Sequence, residues 1–70
     1  MQMVIVQMVS GEQEFFSRAA DGFIYAREQE EKSLNSVECV SVMDEELNIY
    51  IGQDLRNILR LIDLKGWIKA

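Results

Sequence analysis

Proline and histidine are absent from this 70-residue chain, cysteine and tryptophan occur once each, and glycine four times. Without histidine the chain lacks the side chain that most often acts as general base near neutral pH and as neutral metal ligand. A lone cysteine, Cys39, cannot close an internal disulfide, so no oxidising compartment is implied. There is no Gly-rich phosphate loop and no paired-cysteine metal motif. Apolar runs such as Met3 to Val6 fall far short of the roughly 20 residues that span a bilayer. No basic region precedes an apolar stretch at the amino terminus, and no small-residue cleavage site follows one, so no leader peptide is expected. These absences lead to the expectation of a cytoplasmic protein (host cytoplasm if the chain is viral) that is not an enzyme and has no cofactor, metal or membrane partner.

Basic residues are also scarce, with seven Lys and Arg against twelve Asp and Glu, a net charge of −5. Phosphate-backbone binding depends on clustered Lys and Arg, so direct nucleic-acid binding is not expected. The charge is polarised along the chain. Ser10 to Ser36 holds six acids and three bases, Val37 to Ile51 four acids and no base, and Gly52 to Ala70 two acids and four bases. Arg56, Arg60, Lys65 and Lys69 of the last segment read as solvating residues that complement a helix carboxyl terminus.

What is present is apolar: 49% of the residues are hydrophobic, too many for an intrinsically disordered chain. At this length one domain spanning residues 1–70 is expected, hiding about 60% of the surface its unfolded form exposes. The organising stretch is Val37 to Ile62. Val37 to Met43 and Leu47 to Ile51 read as two strands of a hairpin. Closing it with Asp44 opposite Leu47 sets Val42 across from Ile49 and Val40 across from Ile51, which makes one side aliphatic and sends Val37, Cys39, Met43 and Tyr50 to the other. Leu55, Ile58, Leu59 and Ile62 then recur at helical spacing as a cover. Asp54 is the expected N-cap, Lys65-Gly66 the expected end, and Trp67 is expected to pack back onto Ile62.

Upstream, Met3 to Val9 reads as an inner strand, with Val4, Val6 and Met8 towards the helices. Ser10-Gly11-Glu12-Gln13 has the form of a capping box, and behind it Phe15, Phe16, Ala19, Ala20, Phe23 and Ile24 keep helical spacing. The pattern predicts a helix from about Glu12 to Glu31, within which Ala20→Pro would abolish folding. Asp21-Gly22 is the obstacle, since this dipeptide is a strong hairpin signal. If it dominates, Glu14 to Arg18 and Phe23 to Arg27 become strands.

The expected fold is therefore α+β in the order β-α-β-β-α, a three-stranded sheet with two helices on one face. The alternative is a five-stranded antiparallel sheet with one carboxyl-terminal helix. In topology the first order resembles the small acidic regulator that binds a bacterial recombinase. That regulator would carry its acidic charge on the last helix, whereas the last helix here is basic, and likeness at the level of fold says little about function.

Two functional readings follow. In the first, the chain is a protein-interaction module that forms a dimer, or binds and regulates a protein partner, through the uncovered side of its sheet. That side is expected to show Met3, Ile5, Val9, Val37, Cys39, Met43 and Tyr50, and its partner-binding residues would be Met3, Ile5, Met43 and Tyr50. In the second, Glu14, Asp21 and Glu28, seven residues apart on one helix face, form an acidic stripe that mimics a phosphate backbone. Small viral or phage anti-defence inhibitors of that kind occupy a basic groove. Asp44-Glu45-Glu46 reads as a solvated turn rather than a cation site, because three consecutive side chains on a tight turn point in different directions. Cys39 reads as a packing residue.

Overall fold

The computed structural model describes residues 2–65. Six elements follow in the order β1 (Met3–Met8), β2 (Gln13–Phe16), α1 (Ala19–Lys32), β3 (Val37–Met43), β4 (Leu47–Ile51) and α2 (Gly52–Lys65). The strands form one antiparallel sheet in the order β2-β1-β3-β4. The α+β class and two helices agree with the expected fold. The three-stranded sheet does not, because the segment assigned to the start of the first helix is a fourth strand. The order is thus β-β-α-β-β-α, and the resemblance in topology to the recombinase regulator lapses.

The fourth strand exists because residues 8–12 close a turn instead of opening a helix. The Met8 N–H donates to the Glu12 carbonyl at 2.8 Å and the Gly11 N–H to the Met8 carbonyl at 2.9 Å. Gly11 has φ +99, a left-handed value that glycine adopts without steric cost. The serine of the supposed capping box is a turn residue whose hydroxyl accepts from the Glu12 N–H at 3.5 Å. Phe15 and Phe16 then alternate across β2, opposite Ile5 and Val4 of β1. Their helical spacing with Ala19, Ala20, Phe23 and Ile24 joins residues of two different elements.

Ala20 is therefore in the first turn of α1, where proline is tolerated far better than in a helix interior, so the effect expected for Ala20→Pro is withdrawn. The α1 amino terminus is capped from a distance: the Gln2 side-chain Oε1 accepts from the Ala19 N–H at 3.1 Å. At the other end the Glu30 carboxylate accepts from the backbone N–H of Val37 at 2.8 Å and of Asn35 at 3.1 Å, pinning the loop into β3. Asp21-Gly22 makes no hairpin. Gly22 is buried inside α1, and a Cβ there would lie 2.5 Å from Val4 Cγ1, so glycine is what lets the helix rest on β1.

Both helices pack on the sheet face that carries Val4, Val6 and Met8 of β1 and Val40 and Val42 of β3. Phe23 and Ala26 of α1 and Leu55 and Leu59 of α2 complete the core. A bulge at Glu38, where the register with β1 shifts, turns Val37 to this side as well as Val40. Val37 is therefore buried rather than on the uncovered face.

The β3–β4 hairpin is one residue out of the expected register. Met43 is opposite Leu47, which places Val42 across from Asn48, Val40 across from Tyr50 and Cys39 across from Ile51. The turn decides this. Asp44 opposite Leu47 would leave Glu45-Glu46 as a two-residue loop, and the loops of that length that suit strand twist need left-handed residues such as Asn-Gly. Instead three residues form the connection, and the Asp44 N–H donates to the Glu46 carbonyl at 3.1 Å. Tyr50 consequently faces the helices, its ring edge-on to Phe23 with centroids 5.5 Å apart. Ile49, expected on the aliphatic side beneath the helix, is 54% exposed, while Leu59, expected in the cover, is buried. The helix over β4 starts at Gly52, so Asp54 sits in its first turn and is not its N-cap. Gly66 and Trp67, and with them the expected end of the helix and the packing of Trp67 onto Ile62, lie outside the described residues.

Candidate functional site: the open face of the sheet

The register of each strand determines what the second face of the sheet displays. Reading across from β2 to β4, one row is Phe15, Ile5, Ser41 and Ile49, the next is Gln13, Gln7, Cys39 and Ile51, and a shorter row is Met3, Met43 and Leu47. Every formal charge is missing from these positions, although 27% of the chain is charged. Met3, Phe15, Leu47, Ile49 and Ile51 are 45–59% exposed, and Ile5, Cys39 and Met43 are half-buried between them. No second layer of secondary structure among the described residues covers this face.

Contiguous apolar surface of this kind on a protein usually marks a contact. Four strands about 4.8 Å apart and about five residues at about 3.4 Å each give a plan area of roughly 300 Å², with no charged residue in the three rows. No family model, curated protein or solved structure matches this chain. The functional reading therefore rests on this geometry.

Of the residues expected at the partner-binding face, Met3, Ile5 and Met43 are on it. Tyr50 is on the opposite face, inside the helix layer, because of the register change in the hairpin. Four large residues on the face were missed: Phe15, which the helical spacing had claimed, and Leu47, Ile49 and Ile51, which the other register would have buried. The signal that could have found the last three is the length of the Asp44–Glu46 loop, since a Glu-Glu pair is ill suited to a two-residue turn.

The acidic residues are elsewhere. Glu14 is on β2, opposite Val6, so it shares no helix face with Asp21 and Glu28 of α1. The spacing of seven residues that suggested a stripe carries no such meaning across a strand and a helix. Asp21 pairs with Arg18 at 3.2 Å and Arg27 with Glu31 at 2.8 Å, while Glu28 is exposed. Asp44, Glu45 and Glu46 are all exposed at the tip of the hairpin.

Side-chain chemistry around the face is sparse. Among the described residues no group of three or more His, Cys, Asp and Glu is placed to hold a metal ion. None of their polar or charged side chains belongs to the buried core. Cys39 is a half-buried free thiol within the face. Tyr25 has its pKa raised above the ordinary 10.0, first by desolvation and then by the negative charges of Glu14 and Glu12. Its ring lies against Phe16, centroids 5.4 Å apart, under the helix layer and away from the open face. Shallow grooves among the described residues flank the sheet. One of about 270 Å³ is lined by Gln2, Met3, Phe15, Phe16 and Ser17, and one of about 330 Å³ lies between β4 and α2. No helix among the described residues is long and apolar enough to cross a membrane.

Proposed function

We propose that the protein is a non-enzymatic interaction module that works by placing the open face of its sheet against another protein surface. That surface is a second copy of the chain or a protein that it regulates. The observation that carries this reading is the orientation of β4. Its three large aliphatic residues point out of the fold, in rows that carry no charged residue, in a chain of net charge −5. Covering a half-exposed aliphatic or aromatic side chain contributes roughly 1 kcal/mol, half the value for full burial. Five such residues approach the lower end of the association cost of about 4–15 kcal/mol, and contact between two copies doubles the gain.

Acidic mimicry of nucleic acid, the other reading, is left without a continuous stripe, and its charges are divided between α1, β2 and the hairpin tip. Ionic strength separates the two. Binding through the open face persists at high salt, whereas binding by charge mimicry weakens steeply.

The test is sedimentation and light scattering over a range of concentrations for the wild type, Ile5→Glu and Met43→Glu, with circular dichroism to verify folding. Both variants place a carboxylate in the face without touching the core. The expected result is loss of self-association, or of a partner captured from cytoplasm, with the fold retained. A wild type that stays monomeric throughout eliminates self-association by this chain. A partner bound equally well by both variants eliminates the open face as its site.

A further inference from the structure

We propose that two copies of the chain join edge to edge through β4, in antiparallel pairing about Ile49, to make one continuous eight-stranded sheet from two four-stranded ones. This inference goes beyond the preceding reading. It uses the backbone of the edge strand and leaves the open face uncovered.

The two edges of the sheet are β2 and β4. An unpaired strand presents a row of free N–H and C=O groups, and proteins usually protect such edges with charge, proline, a bulge or short length. β2 has that protection, being four residues long and carrying Glu14. β4 is one residue longer and lacks the other devices: Leu-Asn-Ile-Tyr-Ile is uncharged, contains no proline and pairs with β3 without a register shift. The space beside it is open, forming the groove of about 330 Å³ lined by Asn48, Ile49 and Tyr50 from the strand and Asp54, Asn57 and Ile58 from α2.

The occupant is identified by how well the strand matches itself. With Ile49 opposite Ile49 of the second copy, Leu47 meets Ile51 and Ile51 meets Leu47, so every cross-strand pair on the open face is aliphatic. On the helix side Asn48 meets Tyr50 in both directions, an amide beside a phenol. Opposed side chains of this kind have Cβ atoms about 4.5–5.5 Å apart and stabilise the pairing, and no like charges are opposed anywhere along it. A slip of two residues in either direction leaves fewer pairs. The same register brings the acidic Asp44–Glu46 loop of each copy past Ile51 of the other, beside the amino-terminal turn of α2. There the free amides of the helix and Arg56 offset its charge, against Asp54 alone. The two-fold axis is perpendicular to the sheet, so all four helices stay on one side and the two open faces merge on the other. Five paired residues cover less than the roughly 800 Å² a side of a standard interface, so the dimer is expected to be weak and concentration-dependent.

The test is disulfide trapping in a Cys39→Ser background, with one cysteine placed at a time: Ile49→Cys on the axis, Ile5→Cys in the middle of the open face, and Glu14→Cys on the other edge. Directly opposed residues of antiparallel strands have Cα atoms about 4.5–5.5 Å apart, within the disulfide range of about 4.4–6.8 Å. Under mild oxidation Ile49→Cys should form a covalent dimer at least tenfold faster than either control. As a second measurement, Ile49→Glu and Ile49→Lys should each sediment as monomer, and their equimolar mixture should regain the dimer. Linking at Ile5 as fast as at Ile49 would indicate face-to-face packing, overturning edge pairing while supporting the open-face reading. Linking at Glu14 as fast as at Ile49, linking at none of the three sites, or a mixture that remains monomeric would overturn edge pairing without bearing on the face.

Discussion

Replacing Gly22 with alanine sets two effects of opposite sign against each other. In a solvent-exposed helix interior the change stabilises by about 1 kcal/mol, because alanine restricts the unfolded chain more and favours the helix. Here the new Cβ would lie 2.5 Å from Val4 Cγ1. The comfortable carbon–carbon separation is about 3.5–4.0 Å, so one side must retreat by about 1 Å. Val4 is fully buried in an inner strand of the sheet, so any movement must displace core neighbours. Overpacking of this kind costs about 1–3 kcal/mol, and the rigid surroundings favour the upper part of that range. The expected net effect of Gly22→Ala is a loss of about 1–2 kcal/mol. In urea unfolding followed by circular dichroism, with a slope of about 1 kcal/mol/M for a chain this small, the midpoint should fall by about 1 M or more. Val4→Ala alone should cost about 2 kcal/mol or more, from two lost methyl groups and the cavity they leave. Combined with Gly22→Ala it removes the offending methyl, so the double variant should be less damaged than the sum by about 2–3 kcal/mol, the overpacking cost itself. A stabilising Gly22→Ala, or strict additivity, would refute the placement of α1 on β1.

Glu30→Ala should cost about 1–3 kcal/mol, since it leaves the Asn35 and Val37 amides without their carboxylate acceptor, while the exposed Glu31→Ala should cost under about 0.5 kcal/mol; urea unfolding of the two compares them directly. Leu59→Ala should cost about 2–5 kcal/mol and Ile49→Ala, at a half-exposed position, under about 1 kcal/mol in dilute monomer, and the reverse order would mean that the hairpin register is wrong. The raised pKa of Tyr25 stabilises the fold fully below the ordinary tyrosine value of 10.0 and is lost as pH rises through the higher folded value, because the unfolded chain releases its phenolic proton first. Glu14→Gln should bring that titration back towards 10.0, as read by ultraviolet absorbance in a Tyr50→Phe background; an unmoved titration would show that Glu14 does not act on the phenol.

Much of the fold was readable wherever one element accounts for the pattern. The run from Met3 to Val9, which ends one residue past β1, the strand at Val37 to Met43 and the spacing of Leu55, Ile58 and Leu59 each belong to a single element and are found where their periodicities place them. Reading failed where a pattern crossed a boundary. Phe15 and Phe16 continue the helical spacing of Ala19 to Ile24 by coincidence, and only the left-handed Gly11 separates a turn from a capping box. The hairpin register failed for a different reason. Hydrophobic pattern and turn geometry disagreed there, and the turn prevailed, at the cost of leaving Leu47, Ile49 and Ile51 in water. That conflict is also why Leu47, Ile49 and Ile51 were missed on the open face and Tyr50 was placed on it. A residue pattern that would have served the chain's own core was turned outward, and among the described residues no other element covers it.

The strand order β2-β1-β3-β4 carries a symmetry that the residues conceal. A hairpin followed by a helix occurs twice, β1-β2-α1 and then β3-β4-α2, and within the sheet the two units join where β1 lies antiparallel to β3, as if related by a two-fold axis through its centre, while α1 also packs against β3 and α2. Each hairpin closes over a few residues and can form within microseconds, whereas the seam joins positions as far apart as Met3 and Met43. Neither unit has a finished core alone, because Val4 and Val6 of one are matched by Val42 and Val40 of the other. Folding of this chain is therefore expected to be limited by the pairing of β1 with β3, which joins the two halves of the core. Its rate should follow the length of the segment between β1 and β3 rather than the stability of either hairpin.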